Sequence, residues 1–479
     1  MDFYFSLKFR YDEKMKKVKF LRKKYSKFFY RNYKIGLKKK DLEISFDFEV
    51  PSGLYFQPKI KIKNVARSRL KKIKTEILEN LVFHLGLMEM LSYWKATCSG
   101  VIEIEAGSLK KEQIKWWKDL IIKGMGQYFF ENRIDWRKPG FLRIVSSSSK
   151  KFKRIKQKVN KEKFLIAMGE GKDSIVTLEL LKKKGLNVNC FVVNPNKIHF
   201  KILKKAGIKN PIIVERKIDP KLFELNQKGF LNGHVPITAL HSFLGVFCGI
   251  LFDFGNVVFS NERSSNEGNL KYLGRIINHQ YSKTFEFEEK FRDYLKKYIT
   301  SEINYFSFLR PLYEIQIAKI FSGFGQYFPL FLSCNEAKKT YSGKRKPAFK
   351  WCGECPKCLF VFALLCPFLK EKELIKIFRE NLFEKKELLP LMLQLVGEKK
   401  FKPFECVGAK KESLAAFYLS WGKAKRVGKR PYLLKCFEKM ILPKYPNLKQ
   451  VSKNIMSSWN RSHNLPRNLS NILKSSLNF

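Results

Sequence analysis

The sequence is poor in acidic residues: 43 aspartates and glutamates stand against 95 lysines and arginines, a formal net charge of +52. This balance excludes an acidic, solvating chain and suggests a polyanionic partner, such as a nucleic acid, an acidic membrane surface or a phosphorylated substrate. The lysines are spread along the whole chain, however, and form no isolated basic tail. The lysine- and phenylalanine-rich composition of an AT-rich genome explains them equally well. We therefore do not expect a nucleic-acid partner, and it stays open as an alternative.

Cysteine is also scarce, with ten residues in a chain of 479. That number is too small for a disulfide scaffold, and the clustering at positions 352, 355 and 358 indicates a metal site in a reducing compartment. No secretory signal is visible, and polar residues and glycine interrupt the most apolar stretch, residues 237–259. We expect a cytoplasmic protein without a membrane span, in which this stretch forms a buried helix and then a buried strand. No feature of the sequence indicates an oligomeric state.

The chain has enough apolar material for two or three folded domains. Its hydrophobic content of 45% and aromatic content of 15% exclude wholesale disorder. We predict an α+β N-terminal domain over residues 1–160, an ATP-binding α/β domain with a cysteine metal site over 161–370, and a helical region over 371–479. The lysine-rich stretch 149–161 is typical of a linker. After residue 370 we find no motif that indicates chemistry.

Alternation of apolar and polar residues predicts a strand over residues 42–50, within a partly strand-like region that starts at Met1. Residues 55–62 are a possible hairpin partner, and Pro58 would confine that strand to an edge of the sheet. Residues 66–96 have helical periodicity and precede a short strand at 101–104.

From residue 164 the pattern changes to alternating strands and helices, with strands at 164–168, 188–193 and 211–214. Strands separated by one helix each imply right-handed parallel crossovers. We therefore predict a doubly wound parallel sheet, with the loop after residue 168 at the carboxyl edge, where such folds bind ligands.

That loop has the composition of a phosphate-binding loop. Gly169 and Gly171 allow a tight turn that brings N–H groups close to an anion, and Lys172 and the following helix N-terminus favour negative charge. A Walker loop has four residues between its glycines, whereas only Glu170 separates these two. The loop is closer to the Ser-Gly-Gly-x-Asp-Ser (PP-loop) sequence of ATP pyrophosphatases. A plain glycine turn before a helix has the same local pattern.

Six motifs follow one another along the chain: Ser92-Tyr93-Trp94-Lys95-Ala96-Thr97-Cys98, Gly171-Lys172-Asp173-Ser174, Asn232-Gly233-His234-Val235-Pro236-Ile237-Thr238, Ser260-Asn261-Glu262-Arg263-Ser264, Asn278-His279-Gln280-Tyr281-Ser282-Lys283 and Trp351-Cys352-Gly353-Glu354-Cys355-Pro356-Lys357-Cys358. Together they resemble the MurL family, the UDP-N-acetylmuramoyl-L-alanyl-L-glutamate epimerases of peptidoglycan synthesis, over residues 85–369. Glu170 departs from the more usual glycine of the loop.

The resemblance implies an isomerase of cell wall biogenesis that uses ATP and Mg²⁺ to invert the terminal L-glutamate of UDP-MurNAc-L-Ala-L-Glu. ATP is needed because removing the α-proton beside a free carboxylate would build a second negative charge on one group, whereas an acyl-adenylate can delocalise the carbanion. Within this scheme Lys172 and Ser174 contact phosphates in the loop shaped by Gly169 and Gly171. Asp173 orients that loop or helps to hold Mg²⁺.

Candidates for proton transfer at the α-carbon lie in loops expected after strands: His234, His279, Tyr281 and Lys283. Either histidine could instead only hydrogen-bond a loop. Glu262 could bind Mg²⁺ or cap the following turn. Arg263 could pair with the substrate carboxylate or diphosphate, or be a solvated surface charge.

The cysteine motif places three thiols in one compact loop, Cys352, Cys355 and Cys358, and Cys334 could supply a fourth ligand. Four thiolates suit tetrahedral zinc, and an iron–sulfur cluster is the alternative. A closed site of this kind would be structural.

Two other classes of protein fit parts of the pattern. RNA-thiolating and deazapurine-forming enzymes also combine ATP pyrophosphatase loops with cysteine-bound metals, and the charge of +52 would suit a tRNA substrate. That alternative predicts salt-sensitive retention on RNA. A non-catalytic nucleotide sensor is favoured only by Glu170. The epimerase is the function that we predict.

Overall fold

The computed structural model describes residues 2–338, 349–399 and 401–477, with side chains from residue 13 onward. The strands, β1 to β13 in chain order, are Lys27–Lys38, Asp41–Val50, Leu54–Phe56, Lys59–Ile62, Val101–Ile104, Arg143–Ser146, Lys163–Ala167, Asn187–Val193, Ile212–Lys217, Asn256–Phe259, Leu270–Tyr272, Arg275–Ile277 and Asn304–Ser307.

The helices of the described residues, α1 to α19 in chain order, are Asp2–Lys24, Arg67–Lys71, Thr75–Glu89, Leu91–Trp94, Lys111–Gly124, Gly126–Glu131, Lys172–Lys183, Lys197–Lys205, Pro220–Gln227, Ile237–Phe252, Phe285–Tyr294, Glu314–Phe321, Pro356–Leu365, Glu371–Phe378, Leu389–Leu395, Lys410–Arg426, Tyr432–Met440, Leu448–Ser457 and Arg467–Ser475. Short 3₁₀ turns connect several of them.

One 11-stranded sheet runs through the molecule in the order β13-β10-β7-β8-β9-β4-β2-β1-β5-β6, with β3 paired to β2. The strands from β13 to β9 are parallel to one another, as are β1, β5 and β6. Antiparallel pairing of β9, β4, β2 and β1 joins the two parallel parts. The chain is thus a mixed α/β protein with a large, mostly parallel sheet. This confirms the predicted α/β class.

Helices cover both faces of the parallel part that contains the glycine loop. Leu165 of β7 packs into the core that includes α10 and α11, whereas Phe164 and Ile166 pack into the core that includes α7 and α8. This alternation follows from the two-residue period of a strand. The direction of strand order reverses between β7 and β10. The glycine loop follows β7 and therefore lies at the carboxyl edge beside this reversal.

Residues 2–24 form α1, so the strand-like interpretation of the first residues is wrong there. Val18, Leu21 and Tyr25 are buried at spacings of three and four, which is the period of a helix rather than of a strand.

The strand at 42–50 is confirmed as β2, and residues 54–62 pair with it as β3 and β4. The edge position predicted from Pro58 is wrong, because β4 lies between β2 and β9. Pro58 itself falls in the link between β3 and β4, where its missing N–H is not needed, and its carbonyl accepts from Phe46 N at 3.2 Å.

The sheet continues across the predicted boundary at residue 160 through the pairing of β4 with β9. That boundary, and the one at 370, stay predictions. After residue 370 the described residues form helices and 3₁₀ turns without a strand. The buried helix and strand predicted at 237–259 are confirmed as α10 and β10. In the part of the chain that the structure describes, no helix combines the length and apolar character needed to cross a bilayer.

Candidate active site

The glycine loop closes around the hydroxyl of Ser174. β7 ends at Ala167 and α7 begins at Lys172, with Gly171 in extended conformation as its N-cap. Ser174 Oγ lies 3.0 Å from the Gly169 carbonyl oxygen, to which it donates, and 3.3 Å from Gly169 N. The N-terminus of α7 therefore faces the carboxyl edge of the sheet, and this geometry is suited to an anion.

Lys172 lies between two carboxylates at the start of α7. Its Nζ is 2.5 Å from Asp173 Oδ1 and 2.6 Å from Glu314 Oε2, and Lys172 and Glu314 are 2% and 1% exposed. Burial by itself would raise the pKa of Glu314, but Lys172 and Lys357 outweigh it and lower that pKa to about 2. Lys357 Nζ is 3.4 Å from the other oxygen of Glu314. Glu314 is therefore ionised and holds two lysines at the loop.

Glu170 has a structural partner at the neighbouring strand end. Its carboxylate accepts from Asn196 Nδ2 and lies 2.9 Å from His199 Nδ1, and these two residues are at the start of α8. Its carbonyl accepts from Leu332 N at 2.8 Å. Glu170 therefore links the loop to α8 and to the chain before Cys334.

The segment after β10 places a second buried carboxylate near the loop. Glu262 is 4% exposed, and burial together with the negative charge of Glu314 raises its pKa to about 7, against the opposing effect of Lys283. The charge of Asp173 acts on it as well. The buried carboxyl groups of Glu262 and Glu314 and the partly exposed Asp173 thus influence one another electrostatically.

A fully buried arginine fixes the segments that carry Glu262 and Lys283. Arg310 donates to the Glu262 carbonyl at 2.9 Å and to the Lys283 carbonyl at 2.6 Å. Arg263, in contrast, lies with its guanidinium 4.5 Å from the ring centroid of Tyr313, a stacked position at the side of the site.

The two histidines predicted for proton transfer lie against each other, with ring centroids 4.3 Å apart. Burial and the charge of Lys283 lower the pKa of His279 to about 4, and burial followed by His279 lowers the pKa of His234 well below its usual value. His279 Nδ1 is 2.5 Å from Gln127 Oε1. Both rings are thus neutral at pH 7 and available as proton acceptors.

Lys283 contacts Cys406, with Nζ 3.2 Å from Sγ. Burial lowers the pKa of Lys283, but the contact with Cys406 and the neighbouring carboxyl group of Glu262 outweigh burial, so the pKa lies above its usual value. Its charge also acts on His234, His241 and Glu262. The structure therefore brings His234, His279 and Lys283 together beside Glu262.

The Tyr281 hydroxyl is 3.5 Å from Glu286 Oε1, and the residue lines an open cleft of about 830 Å³ together with Lys123 and Asp119. Burial and the charge of Asp119 raise its pKa. A catalytic role for Tyr281 stays a prediction.

Four cysteines come together near the start of α13, as the sequence predicts: the ligand atoms of Cys334, Cys352, Cys355 and Cys358 all lie within 4.8 Å of one another. Three of the sulfur separations are 3.6, 3.7 and 3.9 Å. Zn–S bonds of about 2.3 Å in a tetrahedron require edges of about 3.8 Å. The donor set and its spacing therefore suit a tetrahedral metal ion such as zinc.

Sequence reasoning missed three residues of the site. Glu314 follows an apolar stretch and gives no local signal, and Lys357 was taken only as part of the cysteine motif. Arg216 is the penultimate residue of strand β9. The rule that side chains at the carboxyl ends of parallel strands line the site would have found it.

Comparison with known proteins extends the resemblance beyond the residues that suggested it. The chain matches the model of the MurL N-terminal domain over residues 19–308 and that of the MurL C-terminal domain over residues 330–440. The N-terminal strands and much of the region after residue 369, which showed little resemblance from motifs alone, are thus included.

Three similar proteins are each named UDP-N-acetyl-alpha-D-muramoyl-L-alanyl-L-glutamate epimerase. The protein from Micromonospora sp. is 41% identical over 255 residues, which is 53% of this chain and 56% of that protein. The one from Salinispora tropica is 38% identical over 299 residues, 62% of this chain and 64% of that protein. The chain therefore spans less than two thirds of the length of these two relatives.

The protein from Xanthomonas oryzae pv. oryzae is 32% identical over 369 residues, which is 77% of this chain and 80% of that protein. The two domain models, in the order expected for the family, span most of the chain. On these grounds the chain belongs to the MurL family.

Proposed function

We propose that this protein uses ATP to invert the terminal L-glutamate of UDP-MurNAc-L-Ala-L-Glu to D-glutamate in peptidoglycan synthesis, and that it does so in the cytoplasm. The observation that carries the proposal is the buried Lys172–Glu314 pair at the glycine loop, with Glu262, Lys283 and two neutral histidines beside it. A site that combines anion-binding and proton-accepting groups is what a carboxylate epimerase needs. The family membership supports the same activity.

We assign the parallel part of the sheet to the doubly wound type of the ATP pyrophosphatases. The reversal of strand order between β7 and β10 and the helices on both faces support this assignment. The glycine loop lies beside the reversal, which is the ligand position of such sheets. Gly169, Gly171, Lys172 and Ser174 would then bind the phosphates of ATP, and Arg263 would contact the substrate at the side of the site.

ATP would supply an adenylyl group to the glutamate α-carboxylate with release of pyrophosphate, which removes the charge of the carboxylate and makes the α-proton acidic. After inversion, water would release the free carboxylate and AMP. The protein's part is to bind the phosphates and to place groups for proton transfer. Asp173 and Glu262 would hold Mg²⁺, whose charge would offset the burial and the neighbouring charge of Glu314 that raise the pKa of Glu262.

Inversion at carbon requires a proton to leave one face and another to arrive on the opposite face. The neutral His234 and His279 could accept a proton, and Lys283 carries one that it could donate. We propose that base and acid come from these three residues. The four cysteines would hold a structural zinc ion, which adds no chemistry to the reaction.

The test is a chiral analysis of glutamate after incubation of the protein with UDP-MurNAc-L-Ala-L-Glu, ATP and Mg²⁺. We expect D-glutamate together with AMP, and no D-glutamate when ATP is omitted. Lys172→Met should abolish the reaction, while Lys184→Met, a change of an exposed lysine just after the same helix, should not. Unchanged L-glutamate with the wild-type protein would contradict the proposal, and salt-sensitive retention on RNA would then favour the RNA-modifying alternative.

A further inference from the structure

A group of basic side chains lies at the carboxyl end of β9, away from the glycine loop. Arg216 is one residue from the end of this strand, and its side chain is 10% exposed. Its Nε donates to Glu89 Oε2 at 2.8 Å, and Nη2 donates to Ser92 Oγ at 2.8 Å. Glu89 is completely buried. These bonds fix the orientation of the guanidinium and neutralise one positive charge.

Lys95 adds a second, uncompensated positive charge next to Arg216. Its Nζ donates to the Gly233 carbonyl at 3.2 Å, and its own carbonyl accepts from the Tyr128 hydroxyl at 2.7 Å. Within residues 2–338, 349–399 and 401–477, no carboxylate lies within 4.0 Å of this ammonium group. Burial and the charge of Arg216 lower the pKa of Lys95 to about 8, so that it is still mainly charged at pH 7.

The basic group adjoins the two histidines of the candidate site. The Gly233 carbonyl that accepts from Lys95 belongs to the residue before His234, whose ring centroid lies 4.3 Å from that of His279. The basic group has one positive charge more than its described partners balance, which favours an anionic ligand.

The geometry of the sheet limits which anion can reach this group. β9 is two strands from β7, a distance of about 10 Å at the usual strand spacing. The two carboxylates of the terminal glutamate belong to one residue and therefore lie close together. The substrate's diphosphate is separated from that glutamate by an alanine and a sugar. Because each extended residue adds about 3.5 Å, the diphosphate lies further from the α-carboxylate than the side-chain carboxylate does.

We propose that Lys95 and Arg216 bind the side-chain carboxylate of the terminal glutamate while the α-carboxylate lies at the glycine loop. This inference rests on the proposed function and adds the specificity determinant of the site. An amide in place of the carboxylate would leave the Lys95 ammonium buried without a counter-charge. The site thereby selects glutamate over glutamine at the end of the peptide.

The experiment measures equilibrium binding in the absence of ATP, so that no turnover is required. The wild-type protein is titrated with UDP-MurNAc-L-Ala-L-Glu and with UDP-MurNAc-L-Ala-L-Gln. We expect the glutamate ligand to bind about 100-fold more tightly, as is typical when one partner of a buried charge pair is removed. Lys95→Met should lose this preference and bind both ligands with Kd values within about threefold of each other.

Two further variants keep the test decisive. Lys95→Arg retains the charge and should retain the preference, even if both affinities fall. Lys217→Met is the matched control, because Lys217 is adjacent to Arg216 on β9 but exposed, and it should bind like the wild type. Circular dichroism of each variant verifies the fold.

The inference is overturned if the wild type binds both ligands equally, or if Lys95→Met weakens both by the same factor. It is also overturned if the effect of Lys95→Met disappears with MurNAc-L-Ala-L-Glu, which lacks UDP, since the diphosphate would then be the bound anion. Failure of the proposed function has a different signature: the wild type would form no D-glutamate in the presence of ATP.

Discussion

At the scale of single residues, Lys172 is a counter-charge for Glu314, and the proposed function also gives it a role in phosphate binding. Lys172→Met leaves Glu314 with only the more distant Lys357 at 3.4 Å, and we expect a loss of about 3 kcal/mol in the free energy of unfolding, the lower end for a broken buried pair. Glu314→Gln in addition should restore most of this stability by removing the uncompensated charge. Urea denaturation measures both changes.

The same double variant separates stability from catalysis. If Lys172 binds phosphates, ATP-dependent turnover should remain absent in Lys172→Met/Glu314→Gln although the fold is restored. AMP release is the measurement. Recovery of turnover in the double variant would show that Lys172 acts only as a structural partner of Glu314.

His84 gives a second prediction at this scale, on the response of stability to acid. It is completely enclosed in the N-terminal core, with Nδ1 2.8 Å from the Asn80 carbonyl oxygen and Nε2 3.0 Å from the Tyr294 hydroxyl. Burial lowers its pKa from 6.5 to about 4. The folded protein therefore keeps His84 neutral at a pH where the unfolded chain already binds a proton.

Because the unfolded state binds more protons between these pKa values, stability is complete above pH 6.5 and falls as the pH decreases towards 4. The contribution of His84 is about 3 kcal/mol, from about 1.4 kcal/mol per pKa unit. His84→Gln should make the plot of unfolding free energy against pH less steep in this window. An unchanged slope would contradict the buried, neutral state of His84.

At the scale of elements, the strand–loop–helix unit of β7 and α7 was predictable because its signals are local: an apolar run, two glycines and a helical period. The position of β4 was not, since β9, its neighbour in the sheet, lies about 150 residues further along the chain. The residues of the candidate site likewise divide into those with a local sequence signal and those without one. His234 and His279 stand out as polar residues in loops, whereas Glu314 becomes functional only through the packing of α12 against α7.

The glycine loop offers a prediction at the element scale, concerning Glu170. Its carboxylate contacts Asn196 and His199 at the start of α8, so Glu170→Gly should weaken the docking of α8 and lower the free energy of unfolding by about 1–2 kcal/mol. Glu170→Gln keeps the contacting atoms and should lose less. Thermal denaturation of the wild type, Glu170→Gln and Glu170→Gly gives the order of their stabilities.

Turnover should survive in Glu170→Gly, because the Glu170 side chain contacts the start of α8. Steady-state AMP formation tests this. A variant of wild-type stability that lacks activity would instead place Glu170 among the residues that contact substrate.

At the scale of the whole molecule, the cysteine cluster connects the C-terminal helices to the catalytic edge of the sheet. Cys355 and Cys358 enclose Lys357, and Lys357 contacts Glu314 at the glycine loop. α13, which starts in this motif, also packs against α12 and α16. A metal at the cluster would therefore hold both the helical region and one of the two lysines that keep Glu314 ionised.

We accordingly expect one zinc ion per chain, and we expect its removal to lower both the melting temperature and kcat. Cys355→Ser should lower both the zinc content and the melting temperature, and it should reduce kcat because Lys357 is no longer held at Glu314. Cys436→Ser, a change of a partly buried cysteine outside the cluster, is the matched control and should leave all three unchanged. Elemental analysis, calorimetry and AMP release are the measurements. Full activity in a zinc-free protein of lowered melting temperature would confine the metal to stability, and full stability without zinc would exclude a structural metal at these four cysteines.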